Sequence, residues 1–366
     1  MTERKVLFFF SHMGTGGSQK IEAFAANALC RAGYHVHAIN MSSDPCTVSL
    51  DPSIEITEVS YDHIRECQNP LHAFLKKTLY LKKLRNVIKN CAPDLIVAFL
   101  SDITRIVVLA SHNLNIPIIG SERADPYQYT DKQLEKYRKA FGQCAAVVFQ
   151  MPSVKEIYSL SLPSVQKVIP NPCIPRQGGF SQRTRTDSHV IIGAGRLVEQ
   201  KRFDILIDAF SIVSAKHSEY RLNIYGDGPL RAPLQNQIRS LGLDDSVTLA
   251  GDVRDVFFKE KDAEMFVLSS DFEGLPNALI EAMATGIPCI ATDCSPGGAR
   301  FLLQDGSFGL IVPANNAAAL AEAIMEYIDS PEIRESKGTA ARDSVSEYDP
   351  AVIAAQWVDL TEEVLS

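Results

Sequence analysis

Two glutamates eight residues apart, Glu273 and Glu281, flank the step Gly-Leu-Pro-Asn in the stretch DFEGLPNALIEAMATGIP. Carboxylates so spaced could act together on one reacting atom or contact two parts of an extended ligand, and the residues between them decide which. Pro276 suits a first helical turn and Asn277 has a side chain that caps well, so the step predicts a helix entrance. Ala278, Leu279, Ala282 and Met283 follow as an apolar stripe, and Gly286 with Pro288 ends it. A helix entrance presents unpaired backbone N–H groups and a positive dipole end, which suit a phosphate. Helical rise throughout would put roughly 12 Å between the two acids. That is long for two carboxylates converging on one glycosidic bond and right for two parts of an extended ligand. An ordinary capped helix with one acid at its start is the plainer reading of this stretch alone.

A second charged group lies upstream. In GAGRLVEQKR, Arg196 and Lys201 stand at another helix entrance after a strand-like run. Val198 occupies the third glycine position of G-x-G-x-x-G, and no Lys-Ser/Thr pair follows, so dinucleotide and phosphate-loop NTPase readings both fail. The first half has its own loop, Gly14, Gly16 and Gly17, but the next strand ends at Asn40 rather than at a ribose-binding acid. Two cations at a helix mouth suit a diphosphate.

The elements that must position these groups repeat one pattern twice. KVLFFFSH, a glycine loop, a helix over roughly 18–32 and HVHAIN open the first half, and DLIVAF, IPIIGS and AAVVFQ follow. The second half restarts at HVIIGAG and continues through YRLNIYG, SVTLAG, EMFVLSS and IPCIAT. Apolar strands alternating with helices predict two buried parallel sheets in an α/β protein. The expected division is 1–170, a Pro/Gly-rich linker 171–188, 189–346, and a final segment 347–366 that carries Trp357 back across the first domain.

Together, GAGRLVEQKRFDILIDAF, IYGDGPLR, LAGDV and SSDFEGLPNALIEAMATGIPCIATD resemble the retaining glycosyltransferases of family 4, with their E-x7-E motif. GTGGSQ is similar to that family's first-domain glycine loop, and VIPNPC to its approach to the interdomain linker. The resemblance implies the GT-B fold, two Rossmann-like domains with parallel sheets facing a cleft. It implies that Arg196 and Lys201 hold a donor diphosphate, helped by backbone amides around Gly16, Gly17, Gly195, Gly274, Leu275 and Asn277. Glu281 would bind ribose hydroxyls, Glu273 the transferred sugar, and Val253 the base, with Gly226 and Asp227 on the same side. Many family members carry a His at the end of a first-domain strand. Here that region reads IIGSERADPYQY, so Glu122, Arg123 or Asp125 is expected to line the sugar and acceptor site instead; a salt-bridged structural loop is the other reading.

The implied activity is hexosyl transfer with retention, from a UDP-hexose or UDP-N-acetylhexosamine to a lipid-linked or polysaccharide acceptor. No D-x-D motif supplies a divalent ion, so no metal and no cofactor are expected. A nucleotide-sugar 2-epimerase of the same architecture and a non-catalytic partner subunit are the alternatives.

Charge bears on the acceptor. Residues 1–170 carry a net +4 within a chain of net −8. The segment 71–90, LHAFLKKTLYLKKLRNVIKN, holds six Lys/Arg and no acid, with Phe74, Leu81, Leu84 and Ile88 on one helical face and Lys76 and Lys83 nearly opposite. A solvated helix on the first sheet is the plain reading; attraction to an anionic leaflet is the functional one. Few aromatics accompany the cations, so no nucleic acid is expected. No stretch approaches a signal or spanning segment, and a cytoplasmic protein peripheral to the inner face of the cell membrane is expected. The eight cysteines form no CxxC pair, which predicts buried reduced thiols. His35 and His37 share a strand face without a nearby third ligand, and read as structural.

Overall fold

Val6 to Phe10 are all at most 1% exposed, as a strand covered on both faces by helices must be. The computed structural model describes residues 4–14, 16–62, 70–158, 162–174 and 187–366. They fall into two units, the first made of residues up to Pro172 together with Pro350–Ser366, the second of Cys173–Asp349. Of the linker expected over 171–188, residues 175–186 lie outside the described set.

The first unit has β1 (Lys5–Phe10), β2 (His35–Asn40), β3 (Glu55–Glu58), β4 (Leu95–Phe99), β5 (Ile118–Glu122), β6 (Ala146–Phe149) and β7 (Val165–Val168). They form one sheet in the order β3-β2-β1-β4-β5-β6-β7, every pair parallel. The second unit has β8 (Val190–Ala194), β9 (Arg221–Tyr225), β10 (Val247–Gly251), β11 (Met265–Leu268), β12 (Cys289–Thr292) and β13 (Leu310–Val312). Their order is β10-β9-β8-β11-β12-β13, again parallel throughout. In each sheet the first strand is central, with its successor on one side and a later strand on the other. That reversal is the switch point at whose carboxyl end doubly wound sheets bind ligands.

The helix Pro350–Leu365 belongs to the first unit. Its Ile353, Trp357 and Leu360 are buried in one cluster with Ile21, Ala25 and Leu29 of the helix Gly17–Arg31. Trp357 stacks on Phe99 with ring centres 5.3 Å apart.

The helix Pro70–Cys91 departs from expectation in one respect. Tyr80, Leu84 and Ile88 are buried, but Phe74 is 67% exposed, and nothing from His72 to Leu79 is fully buried. The apolar periodicity continues toward the start of the helix, yet the protein beneath it does not. Phe74, Leu75 and Leu79 are therefore left at the surface beside the exposed Lys76, Lys82 and Lys83. Lys77 is half-buried, and desolvation, then Arg105 and Lys136, lower its pKa. Among the described residues no helix is long and apolar enough to cross a membrane.

Candidate functional site

In the second unit β8 and β11 are neighbours, with Met265 opposite Ile191 and Phe266 opposite Ile192. The loops leaving their carboxyl ends, 195–202 and 269–276, therefore emerge side by side. This adjacency brings Lys201 and Glu273 together. The Lys201 ammonium forms an ion pair with Glu273 Oε1, the two side chains being 17% and 10% exposed. Ser270 Oγ donates to the same oxygen at 2.7 Å, and Glu273 N–H donates to Ser295 O at 2.8 Å.

The two loops are joined along their length. Asp271 N–H donates to Gln200 O at 2.9 Å, and Gln200 Nε2 donates to Phe272 O at 2.7 Å. Ser269 Oγ donates to the Lys201 carbonyl at 2.8 Å. Arg202 Nη1 reaches both Asp271 oxygens, at 3.3 and 3.2 Å. Nothing in the types of Gln200, Arg202, Ser270 and Asp271 marks them in the sequence. The signal available was their position beside Lys201 and Glu273.

Glu273 lies in the loop, four residues before the helix Asn277–Thr285 that carries Glu281. Two expectations are corrected here. Helical rise does not run from one acid to the other, and the cap position falls on Pro276, which makes no side-chain cap bond, while Asn277 is the first helical residue. Proline already holds the backbone on the approach to the helix. Gly286, at φ 78°, terminates it as expected. Glu281 is half-buried; desolvation first, and then its charge, push up the pKa of the buried Cys173 thiol. Leu275 is buried and Gly274 half-buried.

Arg196 is exposed and makes no ion pair among the described residues. Gly195 donates from its N–H to Tyr225 O at 2.9 Å. Gly226, at φ 133°, crosses so close beneath that a Cβ there would lie 1.8 Å from Gly195 O. Asp227 is exposed, and its carbonyl accepts from Leu197 N–H at 2.9 Å. Gly226 N–H in turn donates to Gly251 O at 2.7 Å, which ties the turn carrying half-buried Val253 to the same strand ends.

In the first unit the glycine loop follows β1. Gly16 is the cap position of the helix Gly17–Arg31 and supplies no side chain to its amides. His12, passed over in the sequence, accepts from Gly14 N–H at 3.1 Å through Nδ1. Glu122, Arg123 and Asp125 are all buried. Glu122 accepts from Ser101 Oγ, from Tyr158 at 2.6 Å and from the Arg123 and Ala124 amides at 2.9 and 3.0 Å. Burial raises its pKa and these bonds oppose the rise. Arg123 donates to Ser121 Oγ, Ile169 O and Asn171 Oδ1 at 2.9, 2.8 and 3.2 Å. Its guanidinium sits 5.4 and 5.6 Å from the ring centres of Phe99 and Trp357, and burial lowers its pKa to about 9. Asp125 accepts from Tyr127 N–H at 2.9 Å, capping the turn Pro126–Gln128. The sequence leads one to expect these three side chains at a sugar; in the structure they are engaged in contacts within the first unit.

Among the described residues no three of His, Cys, Asp and Glu come together as a metal site. His37 bonds Thr57 Oγ1 at 2.9 Å, and burial, opposed by Glu55, lowers its pKa. Seven of the cysteines are free thiols, with Cys144 pushed up to about 12 by burial; Cys67 lies outside the described residues.

Comparisons with known proteins bear on the fold and the family. Residues 179–344 match the family "Glycosyl transferases group 1". An uncharacterized glycosyltransferase of Haemophilus influenzae is 27% identical over 97% of this chain and 99% of its own. The Campylobacter jejuni GalNAc-alpha-(1->4)-GalNAc-alpha-(1->3)-diNAcBac-PP-undecaprenol alpha-1,4-N-acetyl-D-galactosaminyltransferase is 25% identical over 98% of this chain and 99% of its own. The structure of Anabaena HepE in complex with UDP-glucose superposes with a TM-score of 0.76 at 18% identity, over 98% of this chain and 99% of that one. The fold is GT-B, and the loops that bring Lys201 to Glu273 lie within the residues, 179–344, that match the glycosyl transferases group 1 model.

Proposed function

We propose that the protein transfers a hexosyl or N-acetylhexosaminyl group from a UDP-sugar to a lipid-linked or polysaccharide acceptor, with retention and without a metal ion. The observation that carries this reading is the Lys201–Glu273 pair, held between two loops at a sheet's switch point with exposed Arg196 on one of them. Breaking a glycosyl–phosphate bond sends its electron pair to the leaving diphosphate. Fixed cations and the amides of a helix mouth stabilise that charge, each donor contributing about 10²–10³ in rate. Arg196, Lys201 and the amides of Gly274, Leu275 and Asn277 are the groups assigned to it. Gly16, Gly17 and Gly195 complete the cradle; Val253, Gly226 and Asp227 serve the base, and Glu281 the ribose. Glu273, already beside Lys201, takes the sugar next to the diphosphate. The acceptor hydroxyl then attacks from the leaving-group face and gives its proton to a phosphate oxygen. Glu122, Arg123 and Asp125 shape the first-unit loop rather than touch the sugar.

A UDP donor is supported by the UDP-glucose complex of HepE, and a lipid-linked acceptor by the undecaprenol in the Campylobacter relative's name. Attachment to an anionic membrane face is supported by the basic helix Pro70–Cys91 with its exposed Phe74, Leu75 and Leu79. A panel of UDP-sugars tests the reading. Slow hydrolysis of one donor, surviving excess EDTA and lost in Arg196→Ala and Lys201→Ala, is expected. Conversion to an epimer, or activity abolished by EDTA and restored by Mn²⁺, overturns it.

A further inference from the structure

Arg202 has φ 47° and ψ 42°, a left-handed conformation that a residue with a Cβ rarely adopts. It directly follows Lys201 and is the cap position of the helix Phe203–Ser214. Such a conformation persists only where the surroundings impose it. Here they do so through the side chain. Nε and Nη2 hold Asp204 at 3.0 and 2.9 Å, while Nη1 reaches across to Asp271 at 3.2 and 3.3 Å. Asp271 lies two residues before Glu273, just as Arg202 lies one after Lys201.

We propose that Arg202 and Asp271 are a positioning pair that sets the gap between the Lys201 ammonium and the Glu273 carboxylate. The bridge spans the same two loops as the Lys201–Glu273 pair, and it is the inter-loop contact that combines opposite charges with a fixed planar fork. The bonds from Asp271 N–H to Gln200 O, from Gln200 Nε2 to Phe272 O and from Ser269 Oγ to Lys201 O hold the loops together, each between a single pair of atoms. The Arg202 guanidinium adds a planar fork gripped by Asp204 on one side and Asp271 on the other, which sets their orientation. This inference rests on the proposed roles of Lys201 and Glu273. Its consequence is selective: UDP, which meets Lys201 and the amides of the second loop but not the Glu273 carboxylate, tolerates a change of gap, because the lysine stem can follow it. A ligand that spans both groups does not.

Calorimetric titration with UDP and with UDP-glucose tests this. Arg202→Gly should keep or raise the melting temperature, since glycine adopts this backbone freely, and should bind UDP within about twofold of the parent. Its affinity for UDP-glucose should fall about tenfold. Asp271→Asn should move the same ratio in the same direction, and Arg202→Lys should recover part of it. Equal losses for both ligands would mean generic damage to the loops and overturn the positioning role; so would an unchanged ratio. Binding of UDP that is absent in the parent, or indifferent to Lys201→Ala, would instead overturn the proposed function and this pair with it.

Discussion

Lys201 and Glu273, 72 residues apart in the chain, are each other's neutralising charge, and neither is more than 17% exposed. Removing one leaves the other partly buried without its counter-charge. Lys201→Met alone should destabilise the second unit by about 2 kcal/mol. Glu273→Gln alone should cost less, because Gln can still accept from Ser270. The double variant should be more stable than the two single costs predict, as read from urea denaturation of all four proteins. Strict additivity would mean that the pair contributes no coupling.

The two acids make separable claims on one donor. Glu281→Ala should weaken UDP binding about tenfold, because it removes a charge-assisted bond to the ribose. Glu273→Ala should leave UDP affinity within about twofold, while hydrolysis of the preferred donor falls at least tenfold. Competition titrations with UDP read the first effect and steady-state rates the second. Equal loss of UDP binding in both variants contradicts the assignment.

Glu22 is 2% exposed in the helix Gly17–Arg31, its Oε1 has no hydrogen-bond partner among the described residues, and desolvation raises its pKa well above the carboxylate norm. An acid whose folded pKa is raised contributes full stability below its unfolded pKa and loses it as pH rises through the folded pKa. Glu22→Gln does not titrate. Its melting temperature should therefore exceed the parent's by a margin that widens from pH 5 to pH 8, about 2–4 °C for each kcal/mol gained in a unit of this size. A margin that shrinks with pH would show that Glu22 is ionised and compensated in the folded protein.

Lys76→Gln, Lys82→Gln and Lys83→Gln together should reduce binding to anionic liposomes and hardly change binding to neutral ones. Each close cation contributes about 1 kcal/mol, within a Debye length of about 8 Å at physiological salt. Lys77 is left out because it is half-buried. Phe74→Ser with Leu79→Ser should weaken binding further and reduce its salt dependence less than the lysine changes do. A triple lysine variant that binds as the parent does makes this helix a solvated face.

Both sheets were legible because uninterrupted apolar runs such as KVLFFF have few uses other than a covered parallel strand. The glycine loops and Gly286 were legible for a similar reason, since backbone geometry there limits the residue type. What could not be read was partnership. Lys201 meets Glu273 only because β8 lies beside β11, and strand order leaves no mark on either stretch. Nor does polarity tell which way a strand end faces: Glu122 and Arg123 looked available, yet Ser101, Tyr158, Ile169 and Trp357 enclose them. Phe74 failed differently. Periodicity reports a helix's stripe, and says nothing of where the supporting surface stops.

The helix Pro350–Leu365 completes the first unit although every residue of the second precedes it in the chain. During synthesis the first unit must therefore wait, with Phe99 and the Arg123 guanidinium lacking Trp357, until the whole of the second has been made. At ~5–20 residues per second that delay is on the order of ten seconds, long against the folding of either unit. The nascent first unit should thus expose the groove later filled by Ile353, Trp357 and Leu360, and be a client for chaperones over that interval. The second unit, contiguous in the chain, has no such wait. Shortening the C-terminal helix should consequently lower the yield of folded protein more than its loss of equilibrium stability alone would suggest.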